Sequence, residues 1–125
     1  MDDLSNKASE NVLVLLKKIR FIYSALFNIH NPNKIIETVK LFETVNYKDQ
    51  KVIGISVDCD DFTVSPAYDE KGEEGFWLRK QIGIEFEDLE KVTIGVYTTE
   101  ERVLRSLFTE FTSDFLEGLI SKLSI

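Results

Sequence analysis

The chain has 125 residues and a mass of 14.4 kDa, with 43% hydrophobic and 30% charged residues, which is enough to bury a core without disulfide or metal staples. It is acidic, with a net charge of −7. Residues 1–50 carry +1 and residues 51–125 carry −8, a field that repels nucleic-acid phosphates and anionic membranes and favours a basic partner. The lone cysteine cannot form an internal disulfide, no apolar run approaches the ~20 residues a membrane helix needs, and the start lacks a secretory pattern, so the expected location is cytoplasmic.

In chain order, Val12, Leu16, Ile19, Tyr23 and Leu26 recur at helical spacing, with Leu13, Leu15, Ile22 and Phe27 widening the apolar face. Asn31-Pro32-Asn33 breaks that helix and starts a second one, with Asn31 as cap and Pro32 in the first turn. Ile35, Ile36, Val39 and Phe42 continue the helical spacing and extend the second helix to about residue 46.

From Lys51 the period changes to two. Ile53, Ile55, Val57 and Cys59 alternate with Gly54, Ser56 and Asp58, and Phe62 and Val64 mark a second short strand. Pro66–Gly75 is polar and reads as an exposed loop. The third strand places Phe76, Leu78, Ile82, Ile84 and Phe86 on one face and Trp77, Arg79, Gln81, Gly83 and Glu85 on the other. A fourth strand follows Glu87–Lys91, with Val92, Ile94 and Val96 inward.

Thr98-Thr99-Glu100-Glu101 has the form of a capping box, in which the Thr98 hydroxyl meets a free amide and Glu101 reaches back. Val103, Leu104, Leu107, Phe108, Phe111, Phe115, Leu119, Ile120 and Leu123 then keep helical spacing. The expected architecture is a single α+β domain over residues 1–125: two N-terminal helices, a four-stranded antiparallel meander and a long C-terminal helix.

Catalytic chemistry finds little support. His30 is the only histidine, beside the Asn31-Pro32 break, with no nucleophile or orienting carboxylate indicated; its simplest role is at the end of the first helix. Cys59 lies between Asp58 and Asp60 with no cation to favour a thiolate, and reads as a small buried residue at a strand end. A calcium loop starting at Asp58 would need glycine and glutamate where Thr63 and Asp69 stand. No zinc spacing or phosphate-binding glycine loop occurs, so no cofactor and no enzyme activity are expected, with a two-carboxylate magnesium site, and hence a carboxylate–metal enzyme, as an alternative.

The remaining feature is acidity with aromatics in it. Eleven acids fall within residues 58–90 against Lys71, Arg79 and Lys80. The candidate partner-binding residues are Asp58, Asp60, Asp61, Tyr68, Asp69, Glu70, Glu73, Glu74, Trp77, Glu85, Glu87 and Asp88, with charge steering the encounter and Tyr68 and Trp77 as anchors.

In this general character the chain resembles the immunity proteins of bacterial toxin–immunity systems, including those of contact-dependent growth inhibition. The resemblance implies a protein that binds and neutralises a basic cognate toxin domain, often a nuclease. No specific motif carries it. The chain is also similar to type III secretion chaperones, which are small, acidic, α+β and dimeric. Their usual helix between the third and fourth strands has no counterpart in the short Glu87–Lys91 link. An acidic chaperone or homodimeric assembly subunit is therefore the second reading.

Overall fold

The computed structural model describes residues 4–59, 61–82 and 90–109. A short 3-10 turn at Leu4–Asn6 leads into α1 (Glu10–Leu26), α2 (Pro32–Thr38), β1 (Val39–Val45), β2 (Lys51–Val57), β3 (Phe62–Tyr68), β4 (Glu74–Ile82) and β5 (Glu90–Thr98). Residues 100–109 then form a further helix, α3. The strands make one antiparallel meander in the order β1-β2-β3-β4-β5.

α1 starts where Ser9 Oγ accepts the Val12 amide, and it buries Val12, Leu15, Leu16, Ile19 and Tyr23 along one stripe. It ends at Asn28, which takes the left-handed conformation with φ 55°, while the Ile29 amide bonds the Ser24 carbonyl at 2.9 Å. Leu26 and Phe27, expected on the buried face, are exposed, because they follow Tyr23, the last residue of α1 that reaches the core. Asn31 caps α2 through the Asn33 amide at 3.0 Å, with Pro32 in the first turn, as the sequence indicates.

α2 stops eight residues short of the expected end, and the sheet has five strands rather than four. The segment Val39–Val45 suits a strand as well as a helix, with the β-branched residues Val39, Thr44 and Val45 and the aromatic Phe42. Non-local partners decide between the two. Arg20 on α1 donates Nε–H to the Val39 carbonyl at 2.8 Å, the Asp58 amide takes the Thr38 carbonyl at 2.8 Å, and Val39 pairs with Val57. Val39 is buried as expected, but from a strand; Ile36 is exposed.

The predicted exposed loop Pro66–Gly75 is also corrected. β3 runs through Pro66 to Tyr68, and only residues 69–73 form the turn. A proline fits there because the β2–β3 ladder has already ended at Ile55 and Val64, leaving no ladder bond for its missing N–H to make on that side.

The core lies between α1, α3 and one face of the sheet. Val39, Ile55, Val57, Phe62, Val64, Phe76 and Leu78 meet Val12, Leu15, Leu16, Ile19, Tyr23, Val103 and Leu107. α3 is capped one residue later than the predicted box. Thr98 closes β5 opposite Phe76, and Thr99 Oγ1 accepts the Arg102 amide. Glu101 pairs with Arg105 at 2.7 Å instead of reaching back, and Glu100 pairs with Lys18 of α1. The expected continuation from Phe111 to Leu123, together with Ile84 and Phe86, lies outside the described residues.

Gly54 marks a close approach of β2 to the β3 backbone, since a Cβ there would stand 2.5 Å from the Val64 carbonyl oxygen and 3.0 Å from Thr44 Cγ2. Gly54→Ala is expected to destabilise the fold by about 1–3 kcal/mol in chemical unfolding, because backbone and not a movable side chain blocks the methyl. A loss below ~0.5 kcal/mol would contradict that close approach.

Candidate functional site

Two five-residue turns of the same design shape the site. In β1–β2, Asn46 Oδ1 accepts the amides of Lys48 and Gln50, and Asp49 adopts φ 63°. In β3–β4, Asp69 Oδ1 accepts those of Lys71 and Glu73, and Gly72 adopts φ 81°. An acceptor side chain at the first position and a left-handed fourth residue tie each reversal locally. Buried Asn46 also donates to Gln50 Oε1 at 3.0 Å, fixing the turn that carries Tyr47.

Tyr47 lies edge-on to Trp77 of β4, with ring centroids 5.8 Å apart, and 6.1 Å from the Tyr97 ring of β5. The contact spans β3, and Ser65, paired with Trp77, and Ala67 on the same face are buried. Trp77 is fixed further by its indole N–H, which donates to Thr93 Oγ1 at 2.9 Å, and by Arg79, whose guanidinium carbon sits 3.9 Å from the ring centroid. Tyr97 owes its position to a bulge. β5 shifts register against β4 between Phe76 and Leu78, Tyr97 takes φ 56°, and its backbone comes within 2.8 Å of where a Cβ on Gly75 would be.

This cluster stands on the face opposite α1 and α3. The expected alternation in β4 holds, with Phe76 and Leu78 in the core and Trp77 and Arg79 on the helix-free face. Behind the rings that face is lined by small buried residues, Gly54, Ser56, Thr63, Ser65 and Ala67. Burial pushes the Arg79 guanidinium below its ordinary value. Arg79 makes no ion pair among the described residues.

Among the described residues the candidate acids lie in two groups. Asp58 and Asp61 lie at the β2–β3 turn, whereas Asp69, Glu70, Glu73 and Glu74 lie at the β3–β4 turn, at the other end of β3. Asp69 is committed to its turn, and Glu74 accepts Ser9 Oγ and Asn11 Nδ2, both at 2.7 Å, tying the start of α1 to β4. Tyr68 shares the helix-side register with Glu74, opposite to Trp77, and burial followed by the Glu74 charge raises its phenol above the ordinary value. Glu70 and Glu73 are exposed. Asp60, Glu85, Glu87 and Asp88 lie outside the described residues.

Cys59 corrects a further expectation. It is exposed rather than buried, because Asp58 and Cys59 are successive left-handed residues at φ 55° and 56° that lift the turn off the sheet end. His30 is exposed and lines a shallow cavity of about 400 Å³ with Phe21, Asn28, Pro32 and Ile35. No group of three or more His, Cys, Asp or Glu side chains suited to a metal ion occurs among the described residues. Nor is any helix there long and apolar enough to cross a membrane. Sequence reasoning missed Tyr47 and Tyr97; the turn formers Asn46 and Asp49, between two runs of alternating β-branched residues, were the available signal for the first.

No known protein family matches the chain, and no curated protein or solved structure shows significant similarity to it.

The acidic β2–β3 turn also acts inward. Burial first, then the charges of Asp58, Cys59 and Asp61, push the Tyr23 phenol from 10.0 up to about 12. The unfolded chain therefore loses this proton before the folded one does, so the contribution is intact below pH 10 and disappears as pH rises toward about 12. Urea unfolding across that range should show wild type losing stability relative to Tyr23→Phe. Parallel curves for the two proteins would contradict the coupling.

Proposed function

We propose that the chain is a non-catalytic binding protein of the immunity or inhibitor kind, which neutralises a basic partner domain docked on the helix-free face of the sheet. The observation that carries the reading is the Tyr47–Trp77–Tyr97 cluster with Arg79 stacked on it, on a face that no described helix covers. Tyr, Trp and Arg are the residue types that dominate binding hot spots, because each combines a large rigid apolar area with a polar handle. The acids at the two ends of β3 flank this centre, where exposed charge speeds and orients the approach of a cation while adding little to the finished complex. Residence in the cytoplasm belongs to the same proposal.

The test screens cationic domains encoded beside this chain as partners, with association followed by surface plasmon resonance. Trp77→Ala should cost about 2 kcal/mol or more, roughly 30-fold in Kd, mainly through faster dissociation. Charge reversal at Asp58, Asp61, Glu70 and Glu73 should slow association and flatten its salt dependence while leaving dissociation nearly unchanged. Unaltered affinity of the Trp77 variant would place the docking surface elsewhere.

A second reading, the homodimeric assembly subunit, is favoured by the apolar surface on the helices. Phe21 of α1 is 77% exposed, with Leu26 and Ile36 also exposed. A dimer built there is expected to dissociate on Phe21→Lys in light scattering; a wild-type monomer at working concentration removes this reading.

A further inference from the structure

β3 sends Thr63 and Ser65 to the helix-free face, both 0% exposed. Buried hydroxyls ordinarily bond a neighbour, because an unmet one forfeits the hydrogen bonds to water it made in the unfolded chain. Among the described residues neither Thr63 Oγ1 nor Ser65 Oγ has a hydrogen-bond partner. Directly across the ladder from Thr63 stands Arg79, whose Nε is also buried and has no partner among the described residues. Ser65 pairs in the same way with Trp77, over whose ring the Arg79 guanidinium lies. Three groups able to donate thus converge on one patch.

The chemistry of the patch selects its occupant. A guanidinium only donates, so the hydroxyls cannot satisfy it without leaving their own protons unmet. The missing component is an acceptor with several lone pairs. A carboxylate has about four such sites and matches the fork of an arginine. The chain contains 22 acidic residues, yet Arg79 pairs with none of those described and keeps its guanidinium on an aromatic ring. A cation left open in so acidic a chain fits a ligand delivered from outside. A net charge of −7 repels free small anions, whereas a carboxylate on a basic protein is carried in by that protein's own positive charge.

We infer that Arg79, Thr63 and Ser65 form a receptor for a carboxylate, an Asp or Glu side chain of a docking protein that enters beside Trp77. The inference rests on the docking role proposed for this face and specifies what the face recognises. Within an otherwise basic surface, the partner carries one acidic side chain that meets the arginine, and the two hydroxyls supply further donors.

Trp77 is the only tryptophan, so its emission reports the site directly. The full-length protein is titrated at constant ionic strength with acetate, inorganic phosphate, a lysine-rich peptide containing one Glu, and the same peptide with Gln in its place. Wild type should respond saturably to acetate and bind the Glu peptide at least tenfold more tightly than the Gln peptide. Arg79→Gln should abolish that preference, and Arg79→Lys, which keeps the charge without the fork, should restore only part of it. Thr63→Val with Ser65→Ala should reduce the preference several-fold, with native circular dichroism retained. Equal binding of the two peptides overturns the receptor while leaving the docking face standing, whereas loss of all peptide binding in Trp77→Ala but not in Arg79→Gln, both followed by isothermal titration calorimetry because the first variant has no tryptophan emission, isolates the face from the receptor in the same way. Saturation by phosphate below acetate overturns the choice of a carboxylate. A Thr63/Ser65 double variant that binds as wild type shows that those hydroxyls hold ordered water only, and also overturns the assignment.

Discussion

The contact between Tyr47 and Trp77 bridges β3, and the character of the helix-free face depends on it. An antiparallel sheet with helices on one side commonly presents alternating polar residues to water on the other. Here the second face carries Ser56, Thr63, Ser65 and Ala67, residues too small to shield the backbone, and all four are nonetheless buried. Large side chains reaching inward from the flanking strands and from the β1–β2 turn close over them. Small residues on β3 are the condition for this arrangement, since bulk there would hold the rings apart. The contact in turn depends on Asn46, whose side chain closes the turn on itself and sets the direction from which Tyr47 approaches. An aromatic pair of this kind contributes about 0.5–1.5 kcal/mol beyond its buried area, so its main effect is to position its neighbours.

How much of this is legible in the sequence follows from the range of the interactions concerned. The α1 stripe, the Asn31-Pro32 helix start and the facing of Trp77 against Phe76 and Leu78 are local periodicities, and each reads correctly. β1 does not, because Val39 and Phe42 satisfy helical spacing, whereas in the strand they fall on opposite faces, across from Val57 and Gly54. The choice between helix and strand is made by Arg20 and Asp58, which are distant in sequence from the backbone groups they bond. Pro66 misleads for a related reason: its tolerance inside β3 depends on where the β2 ladder happens to end.

The candidate site divides along the same line. Residues 58–90 hold half of the chain's acids, and proximity in sequence suggests one acidic surface. An antiparallel connection undoes that proximity, because consecutive turns lie at opposite ends of the strand between them. The seven residues of β3 set the two groups ~20 Å apart. Asp69 and Glu74 are further engaged in holding a turn and a helix start. Trp77 is visible as a candidate from its register, while the openness of Arg79 is a property of what does not surround it, which no local pattern encodes.

That separation bears on how such a surface discriminates. At physiological ionic strength charges are screened over ~8 Å, so groups ~20 Å apart act as independent poles and not as one anionic plate. Each pole attracts a cationic body, but neither distinguishes one cation-rich surface from another. Discrimination falls to the zone between them, where the aromatic rings exclude water and an error in pairing is costly. An arginine suits that zone better than a lysine, because its planar guanidinium stacks on the Trp77 ring and is less strongly hydrated than an ammonium. Stacking restrains the rotamer before any partner arrives, so less conformational entropy remains to be lost on binding. The same stack keeps Arg79 on the ring in a chain rich in acids, and so leaves its guanidinium open to a group from outside.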